Sequence, residues 1–202
     1  MRRLGLMFFA FLLFVPLFLQ ADQILPVNFP TIVERSEIIF QGVFKESEIV
    51  KKKGLILTLN RFQVKEVIKG QAAIEAQLDK DKFEFLQYGA SNKDTKKMGM
   101  AFRVNFVEFE PGQEYVVCLS KESETLKVRS VVGFTQGLFD YIYDAQGKAQ
   151  VVNKFSNKNL FQNLPATKSM SKTLKAGQID QAQPPSGPID YDNFKAMIKT
   201  LE

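Results

Sequence analysis

From Ile32 to Asn153 the chain is written in short runs of β-branched and aromatic residues, with turn-formers between them and no long amphipathic stretch. That pattern constrains the fold more than any other feature. Apolar residues repeating every second position line one face of a strand, so one face is buried and the other wet. Leu55, Leu57 and Leu59 alternate with Ile56, Thr58 and Asn60; Phe62, Val64 and Val67 carry the run on to a turn at Lys69-Gly70. Phe83 and Phe85 alternate with Lys82 and Glu84, and Phe102, Val104 and Phe106 with Arg103 and Asn105. Ile38–Phe44 is a continuous apolar stretch broken by Gln41 and Gly42, and Glu114–Leu119 is more uniformly apolar, as a strand covered on both faces would be. Leu126–Val132, Leu138–Tyr143 and Ala149–Val152 complete the series.

Lys53-Gly54, Lys69-Gly70, Pro111-Gly112 and Asp144-Ala145-Gln146-Gly147 punctuate these runs, and Gly133 and Gly137 mark bends within them. Turn signals at that spacing predict an antiparallel all-β barrel or sandwich over 32–153. Gly89–Gly99 (GASNKDTKKMG) is polar and basic and reads as a loop.

The flanks have a different character. Arg2 and Arg3 precede an uncharged apolar stretch, Leu4–Leu19, and then Gln20 and Ala21. This is the build of a secretory signal peptide over 1–21, cleaved after Ala21, with an uncleaved membrane anchor as the alternative. Residues 22–31 form a lead-in. Residues 154–188 read as a flexible arm, basic from Lys154 to Lys175 and carrying Pro184, Pro185 and Pro188. Residues 189–202 predict a short helix, with Asp190 as its cap and Tyr191, Phe194, Ile198 and Leu201 in one stripe. Such a helix is marginal alone and should pack on the barrel or, alternatively, on a partner. Asn159–Leu164 offers Leu160, Phe161 and Leu164 for docking on the same body.

Composition excludes a good deal of chemistry. The chain has no His and one Cys. It therefore holds no Ser-His-Asp triad, no Cys-His dyad, no His-based metal site, no disulfide framework and no Cys-x-x-Cys pair. Cys118 lies in an apolar strand and reads as a small buried hydrophobe. Without Arg2 and Arg3, the 27 basic residues fall to 25 against 22 acidic ones, a net charge of +3. This is too diffuse for a nucleic-acid binder, and the alternating Phe residues suit a core better than a stacking platform. No phosphate-binding glycine loop is present.

Four segments carry a resemblance: Ser36–Gly42, Phe62–Gly70, Pro111–Val117 and Val131–Phe139. In this order they resemble the core pattern of netrin-like modules and of the N-terminal domain of tissue inhibitors of metalloproteinases. More closely still, they resemble a set of uncharacterised bacterial exported proteins. The resemblance spans roughly residues 30–153 and implies an OB-type barrel with added strands. In that family inhibition resembles chelation of a catalytic zinc by an N-terminal Cys. The start expected here, Asp22-Gln23-Ile24-Leu25-Pro26, has no Cys, and the family's disulfides are missing too.

Paired carboxylates at Asp79/Asp81, Glu108/Glu110, Glu122/Glu124 and Asp190/Asp192 fit turns and a helix start better than a catalytic cleft. Asp140 and Asp144 lack the ligand density of a calcium loop. Ser169-Met170-Ser171-Lys172 falls in the arm, a poor place to hold a nucleophile. Basic runs at Lys51–Lys53 and Lys93–Lys97 read as solvated loops. The sequence thus predicts an all-β, OB-like (netrin-module-like) antiparallel barrel with a C-terminal helix on an extended arm. It is expected to be exported, periplasmic or extracellular, and to act as a non-enzymatic binding module for a protein or envelope component. No cofactor, metal or catalytic residue is assigned, no nucleic acid or disulfide partner is expected, and a membrane enters only through a retained leader. The alternatives are a hydrolase or carbohydrate-active enzyme using a carboxylate pair, and a protease-inhibitor-like protein by family analogy.

Overall fold

Lys53 and Gly54 both take positive φ, 51° and 78°, as a two-residue hairpin turn matched to the twist of its strands requires. They join β1 (Ile38–Lys52) to β2 (Leu55–Lys69), strands of 15 residues each. The computed structural model describes residues 25–77, 79, 81–99, 106–161 and 186–202. Within it this hairpin is the centre of a seven-stranded antiparallel sheet, ordered β3-β2-β1-β4-β5-β6-β7. The other strands are β3 (Lys82–Tyr88), β4 (Glu114–Leu119), β5 (Leu138–Tyr143), β6 (Ala149–Asn153) and β7 (Ile189–Asp190). Helices α1 (Phe29–Arg35), α2 (Gln71–Glu75), α3 (Asn92–Lys97) and α4 (Tyr191–Leu201) lie between and beyond them.

Three register shifts in β1, at Ile39/Phe40, Gln41/Gly42 and Phe44/Glu46, bend it so that one strand serves β2 along its length and β4 at its start. Gly42 sits in this bend. A Cβ there would meet the Gln63 carbonyl at 2.6 Å, so only glycine lets β2 approach so closely.

Both faces of the sheet are apolar where the strands are central. Ile38, Phe40, Phe44, Phe62, Phe83, Phe85, Tyr115, Val117 and Leu119 form an inner core. Its rings pack edge-on and tilted, for example Phe40 with Phe62 at 5.3 Å and Phe62 with Phe109 at 5.1 Å. Ile39, Val116, Cys118, Phe139 and Val151 face the other way, under α1 and α4. The uniform apolarity of β4 thus reflects burial on both sides, as its sequence suggests. The C-terminal helix forms as expected. Asp190 accepts from Asn193 N at 2.9 Å, and Tyr191, Phe194, Met197 and Ile198 are buried against the sheet. Phe194 lies 5.1 Å from Phe29 and 4.8 Å from Phe139, ring to ring.

The structure departs from the sequence reading in several places. The sheet is open, with β3 and β7 at its edges, where a closed barrel was expected. Ile32–Arg35, read as the start of the strands, is helical: Asn28 caps α1 through Thr31 N, and Pro30 stands in its first turn. The expected strand Leu126–Val132 is reduced to two isolated bridges, Leu86–Val128 (parallel) and Leu119–Val131 (antiparallel). These let segment 128–131 touch β3 and β4, which the sheet order keeps apart. The loop expected over Gly89–Gly99 holds α3, because Ser91 accepts from Asp94 N at 3.1 Å and nucleates a turn. Phe106 is not in a strand, and the rest of that run, 102–105, lies outside the described residues.

Of the arm, Leu160 and Phe161 are buried on α1, where Phe29 N donates to Leu160 O. Asn157 Nδ2 donates to Gly187 O at 2.9 Å and so holds residue 187 beside the start of the arm. Residues 162–185, with Leu164, Ser169–Lys172, Pro184 and Pro185, lie outside the described residues, as does the leader over 1–21.

Candidate functional site

The inward face of the β1–β2 hairpin changes chemistry along its length. In β2 the inward positions run Phe62, Asn60, Thr58, and in β3 Phe83, Phe85, Gln87. Cross-strand pairing places Ser47 opposite Asn60 and Ile49 opposite Thr58, with Phe85 and Gln87 across the other ladder. The phenylalanine core therefore ends at a polar patch still within the sheet. Thr58 is only 4% exposed and Asn60 1%. Buried polar groups on a core-facing register are costly unless satisfied, which marks the patch as a place where packing has yielded to another demand.

A groove of about 490 Å³ opens over this patch. Its floor is Ser47, Ile49, Thr58 and Asn60; Ser91 and Asp94 at the start of α3 form one wall, and Phe106, Glu108 and Phe109 another. Thr58 Oγ1 donates to Gly89 O at 2.8 Å, and Asn60 Nδ2 to Gln87 Oε1 at 3.2 Å. Ser91 Oγ donates to Asp94 Oδ2 at 2.7 Å. Lys97 reaches Asp94 at 3.5 Å but is not part of the lining. Two carboxylates and two phenylalanines line the groove, and among the described residues no Lys or Arg does.

Other charged clusters neutralise themselves. A second groove, of about 400 Å³, is lined by Lys45, Glu46, Arg61, Gln63, Asp81, Lys82 and Glu84. Arg61 at its centre bonds Glu84 at 2.9 Å and Glu46 at 3.2 Å, and reaches Glu48 at 2.8 Å. The hydrogen bonds it donates to Glu48 and then Glu84 push its pKa up. All three guanidinium nitrogens are occupied, so the cluster braces the hairpin. Glu66 on β2 accepts from Tyr191 Oη at 2.8 Å and from Lys195 Nζ at 3.0 Å, which pins α4 to the sheet. Burial and that hydrogen bond raise the Tyr191 pKa. Burial, with Tyr143 nearby, pushes Tyr141 up to about 12.

The carboxylate pairs singled out in the sequence do not converge. Asp81 accepts from Gln63 at 2.7 Å, Asp79 pairs with Lys82 through the backbone, and Glu122 pairs with Lys127. Glu124 is exposed, and Asp190 and Asp192 serve α4 and Lys195. Glu110 belongs to the turn before β4. Asp144 accepts from Gln146 N and Lys148 N within its own turn, and burial raises the pKa of Asp140. Among the described residues no group of three His, Cys, Asp or Glu side chains is placed to hold a metal. Cys118 is fully buried, and burial pushes its thiol up to about 12. Lys52 of the basic turn donates to Leu126 O at 3.1 Å, while Lys51 and Lys53 stand in solvent.

Of all these positions only Glu108 reaches the groove. Asn60, Thr58, Asp94 and Phe106 were not singled out as site residues. The signal for the first two is in the sequence: they keep the parity of Phe62 yet are polar.

The fold and groove define a mostly β protein with an open polar cleft beside a phenylalanine core. Comparison with protein-family models, with curated proteins and with solved structures returned no match.

Proposed function

We propose that this chain is an exported, non-enzymatic binding module whose open antiparallel sheet is related to the OB-like, netrin-like pattern, and that the groove over Asn60 is its ligand site. The observation carrying the reading is the groove itself. Polar side chains stand where the strand pattern calls for core, and three segments distant in sequence meet there. The OB-like relation is supported by segment 128–131, whose bridges touch both β3 and β4, and by the donation from Arg129 N to Leu86 O at 2.8 Å. Export rests on the leader-like residues 1–21. Among the described residues no helix is long and apolar enough to cross a membrane.

The test is cross-linked affinity capture from envelope extract, comparing wild type with Ser47→Trp. Ser47 is exposed on β1, where an aromatic residue suits a strand and would fill the groove. The reading expects a specific partner that the variant loses. Capture unaffected by the variant, or capture of nothing specific, would refute it.

A hydrolytic second reading has one observation behind it: Asp94 and Glu108, from different segments, line the same groove. Asp94, however, is already held by Ser91 and Lys97 in a helix-capping role. Turnover of polysaccharide or peptide substrates abolished by Glu108→Gln would establish that reading; no turnover would end it.

A further inference from the structure

Resting on the groove as ligand site, we infer that its ligand presents a protonated guanidinium or amine: an arginine or lysine side chain on an extended segment of a partner protein. The hydroxyl protons of Thr58 and Ser91 are spent on Gly89 O and on Asp94. The amide nitrogen of Asn60 is engaged with Gln87. Among the described lining side chains this leaves the Ser47 hydroxyl and one N–H of Asn60 as donors. Against these stand the carboxylates of Asp94 and Glu108, the Asn60 carbonyl and the lone pairs of Thr58.

A ligand rich in acceptors would find few donors and two negative charges. A cation finds both charges, lone pairs and the aromatic lining residues Phe106 and Phe109. Lys97, the one cation touching these carboxylates in the described residues, reaches Asp94 at the loose distance of 3.5 Å from a largely exposed position. An incoming guanidinium can displace it. Ser47 and Ile49, which line the groove, are exposed, so a side chain carried on an extended segment can reach it from solvent.

The test uses acetylated Gly-Ser hexapeptides carrying one Arg, one Lys, one Glu or one citrulline. Binding is followed by NMR through the Asn60 amide, Ile49 and Thr58. Citrulline keeps the shape of arginine and removes its charge. The Arg and Lys peptides should shift these resonances and bind at least about tenfold tighter than citrulline. Glu108→Gln, at an exposed position, should remove most of that preference, and raising the salt from low to physiological strength should weaken it further. Equal binding of the Arg and citrulline peptides, or preference for the Glu peptide, overturns the inference.

Its failure is separable from failure of the binding reading. If a neutral N-acetylglucosamine oligomer shifts the same groove resonances and the cationic peptides do not, the groove binds but the cation assignment falls. If no probe moves them and captured partners cross-link elsewhere, the groove reading falls as well. Carbodiimide coupling of Glu108 to Lys168, Lys172 or Lys175 of the same chain would overturn the partner assignment in favour of an internal occupant.

Discussion

Replacing Phe194 by Ala tests whether α4 is a structural part of the sheet. The side chain is fully buried, between the rings of Phe29 at 5.1 Å and Phe139 at 4.8 Å. Phe→Ala in a packed core costs about 3–5 kcal/mol, the lost transfer free energy plus the cavity left behind. A domain of this kind has about 5–15 kcal/mol in total. At 11 residues α4 has little stability of its own, so the loss falls on its attachment. The assay is urea unfolding followed by far-UV circular dichroism, with hydrogen exchange of α4 and β6 amides read separately. Lys199→Ala, on the exposed side of the same helix, serves as the control and should change stability by well under 1 kcal/mol. If Phe194→Ala lowers stability by less than about 1 kcal/mol at unchanged m value, α4 is not seated on the sheet and the helix-side core has been misassigned.

Asp190 gives a pH signature. Burial works against its charge, but the bonds from Lys148 and from Asn193 N outweigh it and hold the carboxyl below its ordinary range. Its contribution is therefore complete above the unfolded value, about 3.9, and is lost as pH falls through the lower folded value. Asp190→Asn should be less stable than wild type at pH 7 and converge with it in strong acid; a pH-independent gap would contradict this. Asp190→Ala, which also loses the cap, should cost about 0.5–2 kcal/mol at pH 7 by thermal melts. Cys118, with its thiol pushed up to about 12 by burial, should resist a thiol reagent at pH 8 in the folded protein and react fully in denaturant; rapid native labelling would show the strand to be open. Gly70→Ala and Gly54→Ala start from nearly the same φ, +77° and +78°, but a Cβ at Gly70 meets Glu37 O at 2.1 Å while Gly54 has open space. Gly54→Ala should cost about 1–2 kcal/mol and Gly70→Ala clearly more; equal losses in parallel melts would argue against the close approach of β1.

Much of the strand content was legible because hydropathy at period two is a local property. The β1–β2 turn was readable in Lys53-Gly54, α4 in its apolar stripe and the double-sided burial of β4 in its composition. Helices α1 and α3 were missed although their caps, Asn28 before Pro30 and Ser91 three residues before Asp94, were in plain view. Each is short, and a turn or two of helix is outweighed in a sequence reading by the polar or β-branched residues within it. In β2 the apolar set changes parity between Leu59 and Phe62, so alternation alone did not say which residues face inward. The ladder to β3 and the burial of Thr58, Asn60 and Phe62 do.

The sequence by itself determined that the body is β-rich, that histidine-based chemistry and disulfide frameworks are absent, and that a helix at the C-terminus needs a surface to lie on. Composition and short-range periodicity suffice for those. Only the tertiary structure decided that the sheet runs β3-β2-β1-β4 and that segment 128–131 reaches both β3 and β4. It alone decided that Asn60, Asp94 and Glu108 share one groove. Strand pairing and cavity lining depend on residues tens of positions apart, brought together by the burial of the whole phenylalanine core, and no local pattern encodes that meeting.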